Sequence, residues 1–214
     1  MSIATILLTG SSGFVGSHLK KRLEKADYTV KILDRGQDIH SQYPFYAVIN
    51  CAGELTDESK MFDSNVLLVR DILEHAAGRF TKVIQIGSSS EHGITNQPRR
   101  ESDLCHPSNI YEATKLAATN LCLGYAARYD LDICIVRPFS LYGPNDKPRK
   151  LIPTLYRSYI EHNAVNVYPH SAHDWTYIND FIDGIMLLLK ADRSLTKGDI
   201  VNFGTGVSSS NGQL

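Results

Sequence analysis

Short apolar runs alternate with longer amphipathic stretches along most of this 214-residue chain. The runs are rich in Ile and Val and have the length of buried strands: Ala4–Leu8, Thr29–Leu33, Ala47–Cys51, Lys82–Gly87 and Asp132–Arg137. The stretches between them have the length and spacing of helices: Phe14–Ala26, Ser59–Ala77 and Tyr111–Tyr129. This alternation predicts an α/β fold, a doubly wound parallel sheet with helices on both faces.

The pattern loosens in two places. Only 13 residues separate Asp34 from Val48, too few for a further helix and strand, so we predict a vestigial strand at Asp38-Ile39 and a turn at His40–Phe45. Ser208–Gly212 is typical of a loop or of the first residues of a helix. Beyond Pro138 we predict helices at Leu151–Glu161 and Phe181–Ala191, and strands at Val165–Tyr168, Trp175–Ile178 and Ile200–Phe203.

Composition narrows the class of protein. With 22 basic and 23 acidic residues the net charge is −1, which argues against a nucleic-acid partner or an anionic membrane surface. No apolar run approaches the roughly 20 residues that span a bilayer, and the N-terminus lacks the features of a signal peptide. The four cysteines are scattered, with no metal-ligand spacing. We therefore expect no metal site, no membrane association and a cytoplasmic location.

A glycine-rich segment, Thr9–Gly16, directly follows the first strand and opens the first helix. Its spacing is GxxGxxG rather than the more common GxGxxG. Gly10 permits a tight turn, Gly13 allows a phosphate to approach the backbone, and Gly16 lets the helix pack on the strand. The segment predicts a dinucleotide site with these candidate contacts: Gly10, Ser12, Gly13, Phe14, Val15 and Gly16.

The residues after the second strand bear on the choice of cofactor. Asp34 ends that strand, where an acid accepts hydrogen bonds from the adenosine ribose and repels a 2′-phosphate, which favours NAD. Arg35 follows and could instead pair with a 2′-phosphate, so NADP stays open. Asp38 and Ile39 could hold the adenine, although a plain turn is equally compatible with the sequence.

Tyr111 and Lys115 are spaced i and i+4, on one face of a predicted helix. A neighbouring ammonium favours phenolate, so we expect it to bring the pKa of the tyrosine toward neutral pH. Three serines, Ser88–Ser90, lie at the carboxyl end of a strand, where open α/β sheets bind their ligands. A serine hydroxyl there could bind the substrate oxygen beside Tyr111.

Together these motifs resemble the extended short-chain dehydrogenases/reductases of the NAD-dependent epimerase/dehydratase family, which act mainly on nucleotide sugars. The resemblance covers nearly the whole chain. It rests on TGxxGxxG, Asp34 and YxxxK, and on further segments in the family's order: Val48–Gly53, Asn65-Val66, Arg137–Pro144, Leu151–Pro153 and Asp174–Asp180.

The resemblance implies a Rossmann-type fold and the role of each site residue. Tyr111 would be the acid–base, Lys115 would lower its pKa and hold the nicotinamide ribose, and Ser89 would be the family's Ser/Thr, with Ser88 and Ser90 as rivals. It also implies further cofactor contacts and substrate contacts. The cofactor contacts are Cys51, Ala52, Gly53, Asn65, Tyr111, Lys115 and Pro138; the substrate contacts are Ser90, Ser140 and His173.

Several departures leave the reaction open between epimerase, 4-ketoreductase and 4,6-dehydratase. Glu91 has the spacing of the dehydratase glutamate that removes a sugar proton, but a cap or ion-pair role is equally compatible. Ser140 and His173 stand where the family commonly has Asn and Arg. The family also runs further, so we treat residues 1–214 as one domain with a small, apparently incomplete C-terminal substrate lobe from segments about 139–180 and 204–214.

Two further expectations concern function and assembly. A dinucleotide-binding regulator without turnover is an alternative of another class, and a purely structural protein on the same fold is a third. Apolar residues on more than one face of the helices Ser59–Ala77 and Tyr111–Tyr129 predict a homodimer through a four-helix interface, as in the family.

Overall fold

The computed structural model describes residues 4–39, 45–79, 81–95 and 97–214. The strands are β1 Thr5–Thr9, β2 Thr29–Leu33, β3 Ala47–Asn50, β4 Lys82–Ile86, β5 Ile133–Pro138, β6 Ser140–Tyr142, β7 Ala172–Tyr177, β8 Asp199–Phe203 and β9 Ser208–Ser210. The α-helices are α1 Phe14–Lys25, α2 Glu58–Phe62, α3 Leu68–Ala76, α4 Ile110–Tyr129, α5 Leu151–Glu161 and α6 Ile178–Lys190.

The described residues form a six-stranded parallel sheet in the order β2-β1-β3-β4-β5-β8. From β1 the chain passes to β2 on one side, and then to β3 on the other. The switch point of the sheet therefore lies between β1 and β3, at the carboxyl ends of the strands. The expected doubly wound α/β fold of the Rossmann type is confirmed.

Helices cover both faces of this sheet because its central strands, β1, β3, β4 and β5, are buried on both sides. Ile6 and Leu8 contribute to one core, together with residues of α1 and α6, whereas Leu7 contributes to the other core with residues of α3 and α4. Successive strand residues point to opposite faces. Burial on both faces explains why the strands read as continuous apolar runs.

The predicted helix Ser59–Ala77 is interrupted in the structure. A π-helical segment, Asp63–Leu67, lies between α2 and α3. It carries the buried Asn65, whose side-chain amide donates to the carbonyl oxygen of Glu54 at 3.0 Å and to the hydroxyl of Thr114 at 3.0 Å. Wider turns of this kind often occur at functional sites.

Some local expectations were wrong. Val165–Tyr168 forms no strand, because β6 and β9 are the strands that pair with β7. Asp38-Ile39 is not a strand either: Ile39 is buried in the core beside α3. Of the turn predicted at His40–Phe45, residues 40–44 lie outside the described residues.

The segments assigned to the C-terminal lobe form a second, three-stranded sheet in the order β6-β7-β9. β6 and β7 are parallel, and β7 and β9 are antiparallel. The stretch Ser208–Gly212, expected as a loop or helix start, contains β9 and the start of a single 3₁₀ turn, Asn211–Gln213. Helix α5 has the expected bounds and no buried residue.

Candidate active site

The glycine-rich segment forms a tight turn between β1 and α1. Gly10 has φ +65°, and a Cβ placed on it would lie 2.6 Å from the backbone nitrogen of Ala52. A Cβ on Gly16 would collide with the carbonyl group of Gly10. Gly13 is the N-cap of α1, and neither a side-chain cap nor an acidic residue occupies the first turn. The helix N-terminus is therefore open to an anionic group.

A cavity of about 790 Å³ lies at the switch point of the sheet, beside this turn. The turn, the end of β2, the end of β3 and one face of α2 to α3 form its walls. Nine of the predicted cofactor residues line it: Gly10, Ser12, Gly13, Asp34, Arg35, Asp38, Cys51, Ala52 and Gly53. Phe14 and Val15 instead pack against the apolar core, and Asn65 is buried.

The helical wall of the cavity was missed by the sequence analysis. It consists of Lys60, Asp63, Ser64, Leu67, Leu68 and Asp71. These positions repeat at intervals of three and four residues, which is the signal of one helix face. That periodicity could have identified them, but their mixture of charged and apolar residues gave no reason to expect a ligand.

Carboxylates outnumber cations in the lining of the cavity, at the end of β2 and on the helical wall together. Asp34, Asp38, Asp63 and Asp71 line the cavity, together with the two cations Arg35 and Lys60. Lys60 is ion-paired with Asp57, outside the cavity lining. The arrangement favours hydroxyl groups over a further phosphate.

The tyrosine predicted as acid–base lies on the first turn of α4, facing the end of β4. Hydrogen bonding to the nearby Ser88 side chain by itself lowers the pKa of Tyr111, and the Ser88 hydroxyl lies 2.7 Å from that of Ser90. Burial has the larger effect and raises that pKa, and the charges of Glu91 and Glu112 raise it further. The expected shift toward neutral pH therefore does not occur in this structure. Ser88, one of the two rivals to Ser89, is the serine that lies beside Tyr111, and which serine binds the substrate oxygen stays a prediction.

Lys115 lies one turn further along α4. Its ammonium group donates a 2.6 Å hydrogen bond to the carbonyl oxygen of Ile86, the last residue of β4. Burial lowers the pKa of Lys115, and the charge of Glu91 opposes that shift. A Cβ on Gly53 would lie 3.9 Å from the lysine nitrogen, so Lys115 reaches the edge of the cavity.

Glu91 is buried behind the serines, in the 3₁₀ turn Ser89–His92. One carboxylate oxygen accepts from the backbone N–H of Ser88 at 2.9 Å. The other accepts from the hydroxyl of Thr119 at 2.8 Å and from Nε of Arg137 at 2.9 Å. Of the two alternatives for this residue, the structure supports the cap and ion-pair role.

Two of the three predicted substrate contacts, Ser140 and His173, lie on the small sheet, whereas Ser90 lies in the 3₁₀ turn Ser89–His92. Ser140 Oγ is 3.4 Å from Nδ1 of His173, and Ser171 Oγ is 3.2 Å from its Nε2. The ring of His173 also packs on Trp175, with 5.1 Å between centroids. His173 is thus held in place by its neighbours. Pro138 ends β5, at the same edge of the main sheet as Ser88.

The described part of the chain holds no group of three or more His, Cys, Asp or Glu side chains that could bind a metal ion. All four cysteines are free thiols. Among the described helices, none combines the length and hydropathy that a membrane span requires.

A glycine turn at the switch point of a parallel sheet, followed by a tyrosine–lysine pair at the same sheet edge, defines a Rossmann-type protein of the extended short-chain dehydrogenase/reductase class. Within that class, the chain belongs to the NAD dependent epimerase/dehydratase family, whose model matches residues 6–204.

Known relatives agree with this assignment. Protein CapI of Staphylococcus aureus is 27% identical over 237 residues, covering 90% of this chain and 71% of the relative. The dTDP-D-glucose 4,6-dehydratase of Dictyostelium discoideum is 24% identical over 263 residues, covering 98% of this chain and 60% of the relative. The structure of MoeE5 in complex with UDP-glucose and NAD superposes with a TM-score of 0.87 at 26% identity, covering 96% of this chain and 78% of MoeE5.

Proposed function

We propose that this protein catalyses NAD-dependent hydride transfer at a carbon of a nucleotide-linked sugar. The observation that carries the proposal is the placement of Tyr111 one turn before Lys115 on α4, with Lys115 bonded to the end of β4, at the sheet edge that also holds the cavity. Membership of the epimerase/dehydratase family and the resemblance to MoeE5, which binds UDP-glucose and NAD, support it.

The residues of the cavity fit a dinucleotide. The glycines keep side chains away from the helix N-terminus, whose N–H groups suit a pyrophosphate. Asp34 lies where ribose hydroxyls would donate to its carboxylate, and the surrounding carboxylates disfavour a 2′-phosphate. NAD is therefore preferred over NADP. When bound, the nicotinamide accepts and returns the hydride.

Tyr111 takes the role of acid–base in this proposal, moving the proton of the sugar hydroxyl that is oxidised. Ser88 holds the same oxygen by a hydrogen bond, a role first assigned to Ser89. Lys115 has three N–H donors, of which one is committed to Ile86, so the others are free for a ribose beside Gly53. Burial raises the pKa of Tyr111. If Lys115 binds the ribose, its positive charge would lie closer to Tyr111 and to the sugar hydroxyl that is oxidised.

Among the possible reactions we rank epimerisation first. 4-Ketoreduction uses the same residues. 4,6-Dehydration needs an additional base. The carboxylate of Glu91 is buried and accepts three hydrogen bonds, so it is poorly placed to serve as that base. Ser140 and His173 would then contact the nucleotide sugar from the small sheet, with Ser90 beside Ser88.

The decisive experiment has two parts. Any dinucleotide that copurifies is released by denaturation and identified by mass spectrometry. The protein is then incubated with NAD and a panel containing UDP-glucose, UDP-glucuronate and dTDP-glucose, and products are separated by chromatography. Conversion of one of these sugars supports the proposal. Tight NAD binding without conversion would favour the dinucleotide-binding regulator instead.

A further inference from the structure

Glu91 connects three elements that together build the site. It lies two residues after Ser89 in the chain, and its side chain is 0% exposed. Its contacts are the backbone of Ser88 after β4, Thr119 on α4 and Arg137 on β5. Thr119 and Arg137 are also buried, at 1% and 2% exposure. A carboxylate in this setting is held by its partners and shielded from solvent.

The local backbone accommodates this arrangement only because residue 87 is a glycine. A Cβ on Gly87 would lie 2.6 Å from Oε1 of Glu91 and 3.3 Å from the carbonyl oxygen of Val136. The backbone N–H of Gly87 also donates to that carbonyl at 2.7 Å. The chain therefore passes directly between Glu91 and β5 before it reaches Ser88.

Helix α4 meets the end of β4 through polar groups one turn apart. Tyr111 lies close enough to Ser88 for that side chain to lower its pKa, Lys115 donates to Ile86, and Thr119 donates to Glu91. These positions are spaced i, i+4 and i+8, so they lie along one stripe of the helix. The third contact fixes the same short segment, Ile86 to Glu91, that the first two use.

We infer that Glu91 is a positioning residue, which fixes Ser88 at the end of β4, beside α4, through the backbone N–H of Ser88 and has no contact with the substrate. We call the hydrogen bond from the Ser88 N–H to Glu91 the clamp. The second carboxylate oxygen of Glu91 anchors the clamp to Thr119 on α4 and to Arg137 on β5, the elements that carry Tyr111 and Pro138. The effect on turnover rests on the proposed function, whereas the effect on the position of Ser88 does not.

Glu91→Gln tests the clamp with almost no change in shape. The single oxygen of glutamine would turn toward the charged Arg137, because hydrogen bonds to charged groups are the stronger ones. The amide NH₂ would then face the N–H of Ser88, donor against donor. The variant should therefore release Ser88 specifically.

The first readout is hydrogen exchange of the Ser88 amide by NMR, with no ligand present. We expect exchange in Glu91→Gln to be faster by about 10-fold or more, which corresponds to the loss of a hydrogen bond to a charged group. Asp132→Asn is the matched control. It removes a carboxylate from the part-buried Lys82–Asp132 pair, which also contacts Thr196, at the opposite end of the sheet. It should leave exchange at Ser88 unchanged.

The second readout is a double-mutant cycle with Ser88→Ala, on the nucleotide sugar that the panel identifies. A misplaced catalytic group costs up to about 100-fold in rate, so kcat in Glu91→Gln should fall by about 10-fold or more while the dissociation constant for NAD stays unchanged. Because Glu91 acts through Ser88, kcat of the double variant should fall no further than kcat of Ser88→Ala alone.

Three results would overturn the inference: unchanged Ser88 exchange in folded Glu91→Gln, additive losses in the cycle, or selective loss of water elimination with hydride exchange retained. The last would make Glu91 a catalytic base.

If Glu91→Gln does not fold, Thr119→Val replaces it, since this variant weakens the anchor of the clamp without changing charge. It should also speed exchange at Ser88, and Thr119→Ser should restore the wild-type rate. A sugar panel without turnover would refute the proposed function and leave the exchange result valid.

Discussion

The ammonium group of Lys115 lies 2.6 Å from the carbonyl oxygen of Ile86. This contact joins the second turn of α4 to the last residue of β4, two residues before Ser88. Tyr111 lies one helical turn before the lysine, on the side of α4 that is near Ser88. The pair that the sequence shows as YxxxK is therefore oriented toward the sheet edge by a backbone carbonyl, before any ligand is bound.

Tyr111→Phe should lower turnover by at least about 100-fold, because it removes the group that transfers the proton and leaves the ring in place. Affinity for NAD should stay almost unchanged. Steady-state kinetics and calorimetry measure the two quantities. Tyr129→Phe, at the exposed end of the same helix, is the control and should behave as wild type. Wild-type turnover in Tyr111→Phe would refute the assignment of the active site.

NAD should bind more tightly than NADP, because the carboxylate of Asp34 and its acidic neighbours would repel a 2′-phosphate. Asp34→Ala should narrow the difference, leaving Arg35 to pair with the phosphate. Calorimetric titration of both dinucleotides gives the comparison. Tighter binding of NADP to the wild type by tenfold, about 1.4 kcal/mol, would reverse the assignment.

Two helical glycines should respond in opposite directions to replacement by alanine. Gly16→Ala should destabilise the protein and weaken NAD binding, because its Cβ would collide with the carbonyl of Gly10. Gly124→Ala should stabilise it by about 0.5–1 kcal/mol, because α4 offers its Cβ open space and alanine costs less backbone entropy. Denaturant unfolding measures both, and a loss of stability in Gly124→Ala would contradict the structure.

Stability should fall with rising pH above about 9. Burial raises the pKa of Cys51 and Cys122 to about 12 and that of Cys134 to about 11, from 9.0. The unfolded chain ionises these thiols first, so stability present below pH 9 is lost as the pH rises through the folded pKa values. Each fully ionised thiol contributes a slope of about 1.4 kcal/mol per pH unit. Cys122→Ala should reduce the slope of stability against pH by the contribution of one thiol. An unchanged slope would refute the raised pKa of Cys122.

The homodimer remains a prediction, and the structure reduces the number of apolar residues that are available for its interface. Of the apolar residues that suggested it, Ile72 is buried in the core, and Leu67 and Leu68 line the cavity. Leu116, Leu121 and Leu123 on α4 are only partly buried and could meet a partner helix. Sedimentation should show a dimer at tens of micromolar, and Leu121→Glu should weaken it. A wild-type protein that sediments only as a monomer would exclude this interface.

The local features of this protein were readable from its sequence. Apolar runs identified the strands that form the main sheet, and glycine spacing located the turn between β1 and α1, because strand burial and turn conformation depend on residues that are close in the chain. The i, i+4 spacing of Tyr111 and Lys115 put both on one side of a helix for the same reason. Val165–Tyr168 shows the limit, since an apolar alternation forms no strand without a neighbour to pair with.

The tertiary structure decided which groups meet. Ser88 lies beside Tyr111, which is 23 positions away in the chain, and Glu91 meets Arg137 across 46 positions. The pKa of Tyr111 rises because burial outweighs its hydrogen bond to Ser88. Desolvation and charge–charge distance are properties of packed elements, and no spacing within a single segment encodes them.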